Sequence, residues 1–138
     1  MPYSVFSRPY TCTCKPAAAK VGKQLAEMGY SIVATGGTWD YLNKNGVPAE
    51  RVNKVREGRP HSVDKMVDGA IHMVINTTQG SEAIRDSFSI RRTALTRGLP
   101  YYTTMSAARA AVGALVKLRS GAMTVCSMQE FLEEQRNG

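Results

Sequence analysis

The sequence predicts an α/β fold, in which a parallel sheet is covered by helices on both faces. Short apolar stretches alternate along the 138 residues with longer segments of helical periodicity, which is the pattern of such a sheet. Residues 71–76 are apolar on both faces towards their end, as a central strand of a covered sheet should be. A hydrophobic content of 43% is enough for one compact domain with a sizeable core.

The first half of the chain is predicted to contain three strands and three helices. The strands are residues 3–6, 30–34 and 51–55, and the helices are residues 16–28, 39–44 and 62–68. The first strand is the least regular, because Pro9 and a polar run over residues 10–14 interrupt it. Pro16 suits the start of the first helix, and Gly29 stops it. The apolar face of that helix contains Ala18, Val21, Leu25 and Met28.

The second half is predicted to contain two strands and three helices. The strands are residues 71–76 and 101–104, and an alanine-rich helix covers residues 106–118. Another helix begins at the capping residue Ser81, and its apolar residues include Ala83, Ile84, Phe88 and Leu95. The last helix opens with a capping box of Ser127 and Glu130, and its apolar contacts are Phe131 and Leu132.

A glycine turn after the second strand has the outline of an anion site. The run Thr35, Gly36, Gly37, Thr38 leads into a helix for which Thr38 is the expected N-cap. Free backbone N–H groups and the helix dipole favour an anion there, and the two threonines add hydroxyl donors. The sequence therefore predicts that Thr35 and Thr38 hold a phosphate. A tight strand-to-helix turn without a ligand is the alternative at this point.

Three turns are expected to share one rim of the sheet. They cover residues 35–38, 54–61 and 76–80, and each follows a predicted strand. Ligands of open α/β sheets bind at the carboxyl ends of the strands. The convergence of these turns therefore indicates one site.

The formal charge of +7 is spread along the chain, with no arginine-rich tail and no aromatic-plus-basic RNA motif. A basic pocket for a phosphorylated small molecule, or a docking surface, explains it at least as well as nucleic acid does. No apolar run is long enough for a membrane span and no signal peptide is visible, so a cytoplasmic location is expected. Cys12, Cys14 and Cys126 are too few for a disulfide framework, and no metal site is predicted.

Four stretches together resemble a known family. They are A-T-G-G-T from residue 34, V-N-K-V-R-E-G-R-P-H from residue 52, V-I-N-T-T-Q-G from residue 74 and I-R-R-T-A-L from residue 90. They resemble the C-terminal allosteric domain of the carbamoyl-phosphate synthase large subunit, which has the methylglyoxal-synthase-like fold. The match covers roughly residues 15–118. The resemblance implies a Rossmann-like, three-layer α/β/α sandwich with a five-stranded parallel sheet.

The resemblance also implies a function for residues 15–138, whereas residues 1–14 match poorly. The domain makes no chemical bond itself, and it binds nucleotide effectors such as UMP, an inhibitor, and IMP, an activator. Its partners are the synthetase domains of the large subunit, which use ATP and Mg²⁺, and the glutaminase small subunit. The enzyme makes carbamoyl phosphate for pyrimidine and arginine biosynthesis. No cofactor, nucleic acid or membrane contact is implied for this chain, and self-association stays open.

Eight residues are implied to bind the effector. The phosphate lies on the Thr35 to Thr38 turn, two lysines supply positive charge, and two polar residues of the fourth-strand turn contact the sugar or phosphate. In full the set is Lys15, Thr35, Gly36, Gly37, Thr38, Lys54, Asn76 and Thr78. Taken singly and without the family context, either lysine is more often a solvated surface residue. The alternative for Asn76 is a turn residue that satisfies its own backbone.

No catalytic residue is predicted. True methylglyoxal synthases of this fold carry a catalytic aspartate and a histidine, and Arg59 and Arg85 stand at those positions here. Proton abstraction needs a carboxylate base, which a guanidinium cannot replace. A free-standing lyase or an enzyme like IMP cyclohydrolase is the alternative. The missing aspartate and histidine count against the lyase, and the N-K-V-x-E-G-R-P-H string favours the allosteric domain over the cyclohydrolase. Whether the chain is a piece of a long subunit or a free-standing relative is open.

His61 follows Pro60 in the loop before the third helix, and it is expected to order that loop.

Overall fold

The computed structural model describes residues 4–9, 14–77, 81–121 and 125–137. Within these ranges the chain forms five strands and six helices. The strands are β1 (Ser4–Pro9), β2 (Ser31–Thr35), β3 (Glu50–Val52), β4 (Met73–Thr77) and β5 (Tyr101–Tyr102). The helices are α1 (Lys15–Glu27), α2 (Gly36–Lys44), α3 (Ser62–Val67), α4 (Ser81–Thr96), α5 (Met105–Arg119) and α6 (Met128–Asn137).

The strands form one sheet in the order β3-β2-β1-β4-β5, and every neighbouring pair is parallel. In the centre, Phe6 of β1 lies opposite Val33 of β2 on one side and Val74 of β4 on the other. The predicted α/β class with parallel strands is therefore confirmed. Because the strands are parallel, their carboxyl ends lie along one edge, which we call the carboxyl edge.

Helices cover both faces of the sheet, and the side chains of each strand alternate between two cores. On one face Ile32 and Ile75 pack with residues of α1, α2 and α5, including Leu25 and Leu42. On the other face Val33 packs with Met66 of α3 and with Ile90 and Ala94 of α4, together with Val52, Ile71 and Val74. We call these the α1–α2–α5 face and the α3–α4 face.

All five strands differ somewhat from their predicted bounds, and the ends of β1 and β3 differ most. β1 continues through Pro9, which ends the strand opposite Thr77, so the expected earlier interruption is wrong. A proline at the last position of a strand has no following ladder to disturb. The third strand ends at Val52 rather than continuing, because a 3₁₀ turn over Val55–Glu57 takes over. The Glu57 carboxylate caps that turn by accepting a bond of 2.9 Å from the Lys54 amide.

The apolar residues of α4 and α6 are more exposed than the sequence suggested. Exposed fractions on α4 are 52% for Ile84, 66% for Phe88 and 84% for Leu95. Among the α4 side chains that the structure describes, the buried ones are instead Ser87, Ile90 and Ala94, and the predicted apolar residue Ala83 lies outside them. On α6, the predicted apolar contacts of Phe131 and Leu132 are wrong, because both side chains are exposed. None of the helices in the described ranges has the length and apolar character needed to cross a membrane.

Candidate functional site

The glycine turn predicted to bind an anion forms the N-terminus of α2. The helix begins at Gly36, two residues earlier than expected, with Thr35 as the N-cap in an extended conformation. The prediction of Thr38 as the cap is therefore wrong, and Thr38 lies buried in the first turn. The first amides of a helix have no acceptor within it. Because α2 is nine residues long and begins at the carboxyl edge of the sheet, its first amides, which include those of Gly36 and Gly37, lie at that edge.

The two glycines leave this helix end open to a ligand. A Cβ atom built at Gly37 would meet nothing within 4 Å. A Cβ at Gly36 would lie 3.7 Å from Nη2 of Arg51, which comes from β3. The Arg51 guanidinium also lies 5.9 Å from the centre of the Trp39 ring. Sequence reasoning missed Arg51 as a site residue, because only the parallel pairing of β2 with β3 brings it beside Gly36.

The two predicted lysines lie near the same edge. Lys15 is the first residue of α1, and its ammonium lies 5.9 Å from the centre of the Tyr41 ring on α2. Lys54 follows β3 and precedes the 3₁₀ turn, and its Nζ lies 4.0 Å from Oε1 of Glu57. The ammonium of Lys15 is thus directed at α2, whereas that of Lys54 faces a carboxylate of its own turn.

Asn76 is fully buried near the end of β4, and its Nδ2 donates a bond of 2.8 Å to the hydroxyl of Tyr101 in β5. The alternative of a turn residue bonded to its own backbone is therefore wrong. Its Oδ1 has no partner among the described residues. The same is true of two other buried atoms, Oγ of Ser62 and Oγ1 of Thr77. Thr78 lies outside the described residues, so its predicted role stays a prediction.

The loop before α3 is fixed by its own side chains. The His61 amide donates a bond of 2.9 Å to the Asp64 carboxylate, and the Asp64 amide donates one of 3.4 Å to Nδ1 of His61. His61 therefore orders the loop, as the sequence indicated. Nε of Arg59 lies 3.7 Å from the same carboxylate, and the side chains of Arg59 and Arg85 are both exposed. Among the residues described, no three His, Cys, Asp or Glu side chains lie together as a metal site would require.

A comparison with known families decides the relationship. The sequence profile described as "MGS-like domain" matches residues 17–103. The chain belongs to the MGS-like domain family. The match runs from α1 to the end of β5 and so includes the α2 N-terminus, the loop before α3 and Asn76.

The curated relatives are much longer than this chain. The carbamoyl phosphate synthase large chain of Myxococcus xanthus is 52% identical over 118 residues, which are 86% of this chain and 11% of the relative. The corresponding large chains of Brucella suis and Xylella fastidiosa are 45% and 50% identical, over 79% and 80% of this chain and 9% and 10% of their own lengths. The chain thus spans about a tenth of these relatives. The resemblance to the MGS-like domain of the large chain is confirmed.

Proposed function

We propose that this chain is the effector-binding domain of a carbamoyl-phosphate synthase large chain and that its ligand is a nucleoside monophosphate such as UMP or IMP. The observation that carries the proposal is the open α2 N-terminus at Thr35, Gly36, Gly37 and Thr38, in a domain 52% identical to part of a carbamoyl phosphate synthase. A three-layer sandwich around five parallel strands and a cytoplasmic location belong to the same proposal.

The charges near this helix end favour a phosphate. Three cationic side chains come from elements that meet at or beside it, namely Lys15, Arg51 and Lys54. A helix N-terminus carries roughly half a positive charge, which adds to theirs. Arginine can bind a phosphate through two parallel bonds, whereas lysine acts as a point charge. Asn76 and Thr78 are proposed to contact the sugar or phosphate, as in the family.

The proposed partner is the remainder of the large chain, whose synthetase domains use ATP and Mg²⁺ and receive ammonia from the glutaminase subunit. Ile84, Phe88 and Leu95 form an exposed apolar stripe on α4, and Arg91 and Arg92 border it at helical spacing. Exposed apolar patches of this kind mark interaction sites. About nine tenths of each relative lies outside the matched segment and could supply the covering surface.

A contact chain supports coupling between the site and this stripe. The Arg91 guanidinium lies 5.9 Å from the centre of the Tyr101 ring, and the Tyr101 hydroxyl accepts the bond from Asn76. A ligand that draws the side-chain amide of Asn76 away from the Tyr101 hydroxyl would let the Tyr101 ring shift. The contact between this ring and the Arg91 guanidinium would then change. Coupling between two sites requires such a difference in contacts between two states.

A lyase activity is not proposed, because the positions of the catalytic pair carry Arg59 and Arg85, and Asp64 is held in the cap of α3. Methylglyoxal formation from dihydroxyacetone phosphate should stay at the rate of a sample without protein. Turnover that disappears on denaturation would contradict this assignment.

Calorimetry with UMP and IMP tests the proposed site. Lys54→Ala and Thr35→Ala each remove a proposed phosphate contact, and the affinity should fall roughly ten- to a hundredfold. Lys44→Ala is the matched control, because Lys44 is exposed at the opposite end of α2 and pairs with Asp40. Unchanged affinity in both site variants would refute the assigned pocket.

A further inference from the structure

Ser62 carries a buried hydroxyl that the fold does not use. The residue is 1% exposed, and its Oγ has no hydrogen-bond partner among the described residues. It is the first residue of α3, and the preceding His61 already caps that helix. The Ser62 amide is satisfied by a bond of 3.3 Å to the carbonyl of Asn53. The backbone amide of Ser62 therefore has a hydrogen-bond partner in the fold, whereas its side-chain hydroxyl has none among the described residues.

A buried hydroxyl without a partner destabilises the folded protein, because it has lost its hydrogen bonds to water and has formed none in their place. Alanine would avoid this cost and has a higher helix propensity than serine. Buried polar groups without partners are rare in native proteins and are explained by an absent ligand in some sites. The Ser62 hydroxyl thus has the properties expected of a ligand contact.

The position of Ser62 relates it to two residues of the proposed site. Thr35 is two residues beyond Val33 on β2 and therefore points to the α3–α4 face. Asn76 is two residues beyond Val74 on β4 and points to the same face. Ser62 lies one helical turn before the buried Met66, so it too lies on the inner side of α3.

All three buried polar side chains therefore lie on the α3–α4 side of the sheet, near its carboxyl edge. Thr35 is 3% exposed and Asn76 is 0% exposed. The unpartnered Oδ1 of Asn76 accompanies the unpartnered Oγ of Ser62 on this face. Of the three unsatisfied atoms, only Oγ1 of Thr77, two residues beyond Ile75, lies on the α1–α2–α5 face. A ligand that brings its own donors or acceptors would satisfy the two atoms on the α3–α4 face.

We infer that the Ser62 hydroxyl forms a hydrogen bond with the base of the nucleotide and so favours one base over another. This inference rests on the proposed function, in which the phosphate lies at the α2 N-terminus. The phosphate supplies the charge-dependent part of the affinity, and Ser62 supplies a neutral bond at the other end of the ligand. Ser62 is then a specificity-determining residue and not part of the phosphate site.

Titration of the full chain with UMP, IMP and inorganic phosphate separates these contributions. Ser62→Ala should lower the affinity for at least one nucleotide about two- to tenfold, which is the effect of one neutral hydrogen bond. The affinity for inorganic phosphate should stay unchanged. The thermal unfolding midpoint of the ligand-free variant should rise, because the unpartnered hydroxyl is gone.

Ser87→Ala is the matched control. Ser87 is another fully buried serine, but its Oγ donates a bond of 2.9 Å to the carbonyl of Ile84 within α4. This variant should leave nucleotide affinity unchanged and should not raise the unfolding midpoint. Unchanged affinity for both nucleotides in Ser62→Ala would overturn the inference, as would an equal loss for inorganic phosphate. Wild-type protein that binds phosphate and neither nucleotide would refute the proposed function, and the inference with it.

Discussion

Removing the charge of Glu57 should strengthen nucleotide binding. Its carboxylate lies 4.0 Å from the Lys54 ammonium, which is proposed to face the ligand phosphate. The same carboxylate accepts the 2.9 Å bond from the Lys54 amide that caps the 3₁₀ turn. Glutamine keeps an acceptor oxygen for this cap and removes the negative charge, so Glu57→Gln changes the electrostatics and preserves the turn.

The size of the effect follows from the exposure of the pair. The side chains of Lys54 and Glu57 are 44% and 45% exposed, so solvent screens their attraction strongly. Exposed pairs of this kind contribute about 0.2–1 kcal/mol, which corresponds to a gain in affinity of roughly 1.5- to fivefold. The screening length is about 3 Å at 1 M salt, so the gain should disappear there.

Calorimetric titration of Glu57→Gln and wild type with UMP, at low and high salt, measures this gain. Asp40→Asn is the control for net charge, because Asp40 pairs with Lys44 at 2.9 Å on an exposed side of α2. An unchanged or weaker affinity in Glu57→Gln would refute the placement of Lys54 beside the phosphate. An equal gain in Asp40→Asn would show that overall charge alone is responsible.

Three further predictions follow from packing, docking and capping. Leu42→Ala should lower the free energy of unfolding in urea by about 2–5 kcal/mol, because this 1% exposed side chain anchors α2 to the sheet. In a full-length enzyme, Arg91→Glu with Arg92→Glu should leave nucleotide binding intact and weaken its effect on the rate; full UMP inhibition and IMP activation would exclude α4. The hydrogen bond from the Ser127 amide lowers the pKa of Glu130 below its usual 4.5. The capping box should therefore be fully formed above pH 4.5. The helicity of α6, followed by NMR, should fall as acidification passes the lowered pKa.

Local sequence signals were sufficient for most elements of the fold. The spacing of Ala18, Val21 and Leu25 correctly gave the buried face of α1. The glycine turn correctly indicated a strand leading into a helix, and only the cap moved from Thr38 to Thr35. That shift has a simple cause, since threonine is a favoured N-cap residue type and helix ends are difficult to place from sequence alone. The Thr35 side chain itself makes no capping hydrogen bond.

Long-range contacts explain what the sequence could not predict. The bond from Asn76 to Tyr101 joins residues that are 25 positions apart, and neither carries a motif for it. Helix α4 has two apolar stripes, and periodicity cannot decide whether Ile90 or Phe88 faces the sheet. The missing partner of the Ser62 hydroxyl is likewise a property of tertiary packing, because burial has to be known before an unsatisfied atom can be recognised.

The central claim is that a nucleoside monophosphate binds with its phosphate at the α2 N-terminus. NMR titration of the isotope-labelled chain with UMP, IMP and the corresponding nucleosides tests it most directly. The account predicts saturable shifts of the Gly36, Gly37 and Thr38 amides with at least one nucleotide, and none of this size with the nucleoside lacking the phosphate. No binding up to about 1 mM, or binding that leaves these three amides unchanged, would contradict the account.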